Sequence, residues 1–291
     1  MYKVDNAVIM AAGTSSRFAP LSFEKPKALI EVKGEILIER QIKQLQNAGI
    51  SQIYIVVGFK AEMFYYLEEK FGVHIVRNPE YNTRNNNSSI FAVRDILANT
   101  YICSADNYFS ENPFESQVSD SYYSAVYADG ETKEWCMKYA DDGTITDVTV
   151  GGNNAWYMLG HAFWSEKFSR KFVSILKEEY DRPETADLFW ENIYINHMDK
   201  LSMKIRKYED GVISEFDTLD ELRLFDASYI SDTRSEILKN IATELCCDES
   251  QITEITAYKD NSNEAAGFTF TVGKNRYSYS YADKIIKESQ K

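Results

Sequence analysis

Histidine and cysteine are scarce in this chain of 291 residues, which has three His and four Cys. The cysteines, Cys103, Cys136, Cys246 and Cys247, show neither metal-ligand spacing nor a disulfide framework. A structural zinc site is therefore not expected, and a reducing, cytoplasmic setting fits. Positive charge is also short. Lys and Arg number 32 against 45 Asp and Glu, a formal net charge of −13. No basic block interrupts that balance, so no binding to nucleic acid or to an anionic membrane is expected. No apolar run approaches the roughly 20 residues that cross a bilayer. The opening Met1-Tyr2-Lys3-Val4-Asp5 lacks the apolar region of a signal peptide. The absence of a Walker A pattern argues against a P-loop NTPase, and there is no internal repeat or low-complexity segment. What remains is an intracellular globular protein, long enough for one large domain with an appendage or two modest domains.

Residues 6–107 alternate between strand-like and helix-like stretches. Ala7–Met10, Gln52–Val57, His74–Val76 and Thr100–Ser104 read as strands. Leu37–Ala48 reads as a helix, with Ile38, Ile42 and Leu45 on one face and Gly49 as a stop. Ala61–Phe71 reads as a second helix, ended by Gly72. The Asn-rich stretch from Tyr81 to Asn87 reads as a loop, with Ser88 or Ser89 capping a helix that continues to Leu97. Such alternation implies βαβ units and a parallel sheet, with ligands outside the carboxyl ends of the strands. Gly13 and Asp106 both lie just past such ends, so they are expected to face one crevice. Further on, Ser124–Ala128, Met137–Tyr139, Thr144–Val150, Trp156–Trp164 and Leu201–Lys207 read as strands. Ser165–Tyr180 and Thr185–Met198 read as helices, and Thr218 caps a last one ending near Phe225. The expectation is an α/β chain: residues 1–228 form a three-layer α/β/α domain with a mixed, mostly parallel sheet. Residues 229–291 form a small C-terminal α+β element, with a helix from Ser231 to Leu245 and a strand at Ile252–Tyr258. The pattern breaks at Asp260–Asn263, and an aromatic hairpin turns at Gly273-Lys274-Asn275.

The most informative stretch is Ala11-Ala12-Gly13-Thr14-Ser15-Ser16-Arg17, closed by Glu24-Lys25-Pro26-Lys27-Ala28-Leu29. Small residues after a buried strand let backbone N–H groups approach phosphate oxygens, while Arg17 and Lys27 supply charge. That order suits a nucleoside triphosphate. It resembles the signature of the sugar-nucleotide pyrophosphorylase-like nucleotidyltransferases, roughly Ala-Ala-Gly-x-Gly-x-Arg followed by Pro-Lys. Here Ser15 replaces the second glycine, and it can form the turn with a negative φ.

Three further groups carry chemistry. Asp106, at a strand end beside the phosphate loop, is either a magnesium ligand or a turn residue capping a helix. Glu215-Phe216-Asp217 on an extended piece puts both acids on one face and Phe216 on the other. Those acids either meet a metal and a cationic substrate or are simply solvated. Trp135 and Asp187 are the residue types that recognise a quaternary ammonium, which has no N–H to donate. Phe189 and Trp190 on a helix read as core before they read as part of such a box.

Taken in order, the motifs resemble the bacterial CTP:phosphocholine cytidylyltransferases over about residues 5–228. The specific matches are Ala105-Asp106-Asn107-Tyr108, Glu134-Trp135, Tyr139-x-Asp141-Asp142, Phe163-Trp164, Asp187-Leu188-x-Trp190-x-Asn192 and Glu215-x-Asp217. The resemblance implies a GT-A-like (Rossmann-like) sheet, CTP and phosphocholine as substrates, and Mg²⁺ on Asp106 and Asp217. It also implies Trp135, Asp187 and Glu215 around the choline head. Phe189 stands where the family pattern has Tyr, which keeps an aromatic face and loses a hydroxyl. Cytidylyl transfer to 2-aminoethylphosphonate or phosphoethanolamine is the near alternative. A catalytically silent nucleotide-binding regulator is the alternative of another class. Residues 252–281 also resemble the start of a kinase amino-terminal lobe, but no kinase catalytic loop follows. An accessory role in homodimerisation or partner binding is expected there.

Overall fold

Seven strands form the central sheet of the computed structural model, which describes residues 1–260 and 265–288. Their spatial order is Lys204–Lys207, Tyr122–Tyr139, Ile145–Trp164, Thr100–Ser104, Asn6–Ala11, Ile53–Val57 and His74–Arg77. The four strands from Thr100–Ser104 to His74–Arg77 pair in parallel, as does Lys204–Lys207 with Tyr122–Tyr139. Ile145–Trp164 runs antiparallel to both its neighbours. The sheet is mixed and mostly parallel, as the alternation of elements implies. Alternate residues bury on opposite faces. Val8, Val56 and Ile102 join a core with Phe172 and Leu176 of helix Glu166–Glu179 and with Trp190 and Ile193. Ile9, Ile55 and Cys103, their neighbours along the strands, are also fully buried. Both faces are therefore covered.

The middle strands are longer than local pattern reading gives. Ser124–Ala128 and Met137–Tyr139 are parts of one strand, Tyr122–Tyr139, and Thr144–Val150 and Trp156–Trp164 are parts of Ile145–Trp164. Register shifts along the pair bend the ribbon without ending it, and its charged stretches lie outside the core. The helix after the Asn-rich loop is also shorter than expected, Asn87–Ala92.

The chain forms two compact units. One comprises Met1–Gly13 and Leu37–Glu215, the other Thr14–Ile36 and Phe216–Lys291. The units part there, whereas the sequence reading places its boundary at residue 228. In the second unit, Ile252–Lys259, Ala265–Val272, Asn275–Ser280 and Ile286–Glu288 make an antiparallel sheet in that order. Phe268 and Phe270 are fully buried there, with Leu238 and Ile241 of helix Glu236–Glu244. That helix starts later than expected, because Arg234 takes a left-handed φ of 60° and Ser235 supplies the cap. The expected pattern break lies, past Asp260, outside the described residues.

Gly58, just after Ile53–Val57, is where a turn needs glycine. A Cβ there would stand 2.5 Å from Tyr81 Cβ and 2.8 Å from the Ala12 carbonyl oxygen. That carbonyl accepts the Phe59 N–H at 3.0 Å, so the close approach ties one strand end to the next. Gly58→Ala is expected to lower unfolding stability by about 1–3 kcal/mol in urea denaturation. An unchanged midpoint would show that the approach is not tight.

Candidate active site

In the first unit the parallel strands Asn6–Ala11 and Thr100–Ser104 set Met10 opposite Ser104, so both carboxyl ends emerge together. Ala11, Ala12 and Gly13 leave one end, and Ala105-Asp106-Asn107 leaves the other. A Cβ added to exposed Gly13 would meet no protein atom within 4 Å, which leaves the loop backbone open to a ligand. Gln41, fully buried on helix Leu37–Asn47, donates to the Ser104 carbonyl (2.8 Å) and the Asn107 carbonyl (2.9 Å). That side chain pins the turn bearing Asp106. Asn107 then opens strand Asn107–Phe109, which pairs antiparallel with Ile213–Glu215 and places Glu215 opposite Asn107. The Asn107 amide donates to Glu215 Oε2 at 3.4 Å. Asp106 and Glu215, far apart in sequence, are thus neighbours. Both negative charges, together with that of Glu191, push the Tyr123 phenol well above its ordinary pKa, after the larger effect of burial.

Aromatic side chains stand in the same unit. Trp135, on Tyr122–Tyr139, meets the exposed Phe189 ring edge to face, with centroids 5.9 Å apart. Phe189 and Asp187 are not on a helix, as the sequence reading had them. The helix is Trp190–Asn196, and Phe189 is its N-cap. Three asparagines account for the difference. Asn86 Oδ1 accepts the Trp190 N–H (2.7 Å), and Asn87 donates to the Thr185 carbonyl (2.9 Å). Asn85 donates to the carbonyl of the exposed Asp187 (3.1 Å). Backbone groups that a longer helix would use are taken by side chains from the Asn-rich stretch.

The sequence reading missed Glu191, Tyr123 and Tyr157. Glu191 is half-buried as a residue, but its carboxylate sits deep, accepting from Tyr123 Oη and Asn86 Nδ2 at 3.2 Å each. Burial pushes it up to about 7. Tyr157 is raised first by burial, then by the charges of Glu134, Asp210 and Glu215. The only available signal for Glu191 was its place between Trp190 and Asn192 in a matched motif.

The second unit holds the cations. Arg17 Nη1 lies 2.6 Å from Asp217 Oδ2, and Lys27 Nζ lies 3.8 Å from Asp217 Oδ1. Asp217 is set just before the Thr218 cap of helix Leu219–Phe225, and its N–H donates to Glu221 Oε2 at 2.6 Å. Phe216 is buried, and the strand before it ends at Glu215. Pro26 starts the short turn Lys27–Leu29, and only 4% of the Lys27 side chain is exposed. Thr14 is exposed and Ser16 opens the turn Ser16–Phe18. Ser15 departs from expectation. Its φ is 48°, left-handed, a geometry that suits glycine and costs another residue about 1 kcal/mol. Among the described residues no three His, Cys, Asp or Glu side chains gather as a metal cage. Magnesium needs no such cage, since it takes one or two carboxylates and completes its shell with phosphates and water.

Residues 7–123 match the family model of the MobA-like NTP transferase domain. The chain is 36% identical over 234 residues to the choline-phosphate cytidylyltransferase of Streptococcus pneumoniae, covering 80% of this chain and 98% of that protein. The chain belongs to the choline-phosphate cytidylyltransferase family. A solved structure of the CTP:phosphocholine cytidylyltransferase from S. pneumoniae superposes with a TM-score of 0.75, covering 78% of this chain and 99% of that one. The 2-aminoethylphosphonate cytidylyltransferase of Lancefieldella rimae is 37% identical over 79% of this chain and 95% of its own length. This cytidylyltransferase-family chain is therefore a nucleotidyltransferase, as its motif order implies. Part of it, about a fifth, lies outside these matches. No helix among the described residues is long and apolar enough to cross a membrane.

Glu191 makes a pH prediction. Its pKa rises from the ordinary 4.5 to about 7 on folding, so its ionisation opposes folding. The penalty is absent below 4.5, grows through the interval and is complete above 7. Gln does not titrate. Glu191→Gln should therefore gain up to roughly 3 kcal/mol relative to wild type between about pH 4 and about pH 8. Denaturation curves at the two pH values measure it, and a pH-independent difference would contradict the assignment.

Proposed function

We propose that this protein transfers a cytidylyl group from CTP to phosphocholine, giving CDP-choline and pyrophosphate. The observation that carries the choice of acceptor is the edge-to-face Trp135–Phe189 pair in the same unit as the clustered Glu191 and Glu215 carboxylates. A quaternary ammonium is bound by aromatic faces and nearby negative charge, since it offers no N–H. Asp187 would add a further carboxylate to the head-group side. The S. pneumoniae relative is named for that acceptor.

A phosphate oxygen of phosphocholine attacks the α-phosphorus of CTP in line. The new P–O bond forms as the bond to the β-phosphate oxygen breaks, and pyrophosphate leaves. The nucleophile is already anionic, so the residues need not remove a proton. Their work is positioning and charge neutralisation. Backbone N–H groups of Gly13, Thr14, Ser15 and Ser16, following Ala11 and Ala12, hold the β- and γ-phosphates. Arg17 holds the departing pyrophosphate, and Lys27 neutralises charge that develops in the transition state. Asp106 and Asp217 each offer a carboxylate to Mg²⁺, which supplies charge neutralisation on phosphate oxygens when bound. Four free thiols support a reducing cytoplasmic setting.

The L. rimae relative, named for 2-aminoethylphosphonate, motivates the second reading. A primary ammonium would donate hydrogen bonds to Asp187 and Glu215 and depend less on Trp135. Pyrophosphate release from CTP and Mg²⁺, with phosphocholine, phosphoethanolamine and 2-aminoethylphosphonate in parallel, separates the readings. Preferred turnover of phosphocholine is expected, with Trp135→Ala raising its KM about 5- to 30-fold and sparing that of CTP. Turnover only with a primary amine would overturn the aromatic assignment. Tight CTP binding without turnover of any acceptor would mark a silent regulator.

A further inference from the structure

Segment 14–36 carries Arg17 and Lys27, yet it has little regular structure of its own. Its pieces are the turns Ser16–Phe18 and Lys27–Leu29, the helix Leu21–Glu24 and the strands Glu31–Val32 and Glu35–Ile36. Elements of two to four residues do not hold a conformation unaided. A buried ammonium needs its surroundings fixed, because a displaced one loses its compensating charge. Support has to come from elsewhere in the second unit.

It comes at successive points from the chain beyond Phe216. The Phe23 ring stacks on Tyr281, with centroids 3.7 Å apart and planes within 4°. Glu24 Oε1 accepts the Ile237 N–H at 3.1 Å, joining the segment to the first turn of helix Glu236–Glu244. The Glu31 carbonyl accepts from Arg234 at 2.9 Å and from the Tyr229 hydroxyl. The Lys33 N–H donates to Asp226 at 2.7 Å. These ties flank Lys27 on both sides along the sequence. The chain that makes most of them lies beyond residue 228, outside the stretch where the family motifs run.

We propose that this C-terminal element is a positioning device for the nucleotide-binding cations. By gripping residues 23–33 it fixes Lys27 and Arg17 against Asp217, so CTP affinity depends on residues remote from the family motifs. Tyr281, at the stack, is the main positioning residue, and Arg234 is a second. The kinetic part of this claim rests on the proposed use of CTP. The structural part does not.

Two variants of the full chain test it, Tyr281→Ala and Arg234→Ala, with Tyr281→Phe as the conservative control. Each alanine variant is expected to raise the KM for CTP about three- to tenfold, the scale of a lost aromatic stack for Tyr281 and of a lost charged hydrogen bond for Arg234, and to leave that for phosphocholine unchanged. Tyr281→Phe is expected to restore the wild-type value. Loss of folded protein alone would lower the rate per mole and move neither KM. Amide hydrogen exchange supplies the second readout. Exchange over residues 16–32 is expected to quicken in both alanine variants, while that of Thr100–Ser104 stays as in wild type. If the wild type releases no pyrophosphate with any acceptor, the functional reading fails, and hydrogen exchange still decides the positioning claim. Unchanged CTP KM together with unchanged exchange over 16–32 in both variants overturns it.

Discussion

Asp217 sits between a buried cation and an exposed one, and much of the site's arrangement depends on that. Lys27 is almost wholly removed from water, with Asp217 3.8 Å away. At that range, and at the effective dielectric constant of a protein site, the attraction is about 4 kcal/mol, offset in large part by desolvation of the ammonium. Arg17 is 75% exposed, so its contact adds geometry more than stability. The consequence is positional. Asp217 is fixed by the Thr218–Glu221 cap, and the two cations take their places from it. A catalyst that works by neutralising phosphate charge needs that order before substrate arrives.

The first unit applies the opposite sign in a similar way. Asp106, Glu191 and Glu215 act together on one buried phenol, and Glu191 titrates near neutrality as a result of its own burial. Clustered carboxylates of this kind are unfavourable without a cation nearby. The proposed Mg²⁺ and positively charged head group are cations that would offset that cost on binding.

Much of this was legible in the residues. Strand periodicity located the parallel core, and the rule about carboxyl ends singled out the strand ends before Gly13 and Asp106, which the pairing of Met10 with Ser104 sets side by side. Motif order gave the family. Part of what escaped is due to side chains that bond to backbone far away in sequence. Asn85, Asn86 and Asn87 reshape residues 185–191, and Gln41 sets the Asp106 turn, without leaving any periodic trace. The left-handed Ser15 escaped because local chemistry favours a negative φ there. The grouping of residues 14–36 with the chain beyond 216 escaped because its ties are single contacts spread over a long separation.

The measurement that tests the central interaction most directly is a double-mutant cycle on unfolding stability, with Lys27→Met, Asp217→Asn and both together. A coupling of about 1–3 kcal/mol is expected, with the double variant more stable than the sum of the single losses implies. A coupling indistinguishable from zero would mean that Asp217 does not hold Lys27, and the organisation described around that carboxylate would be wrong.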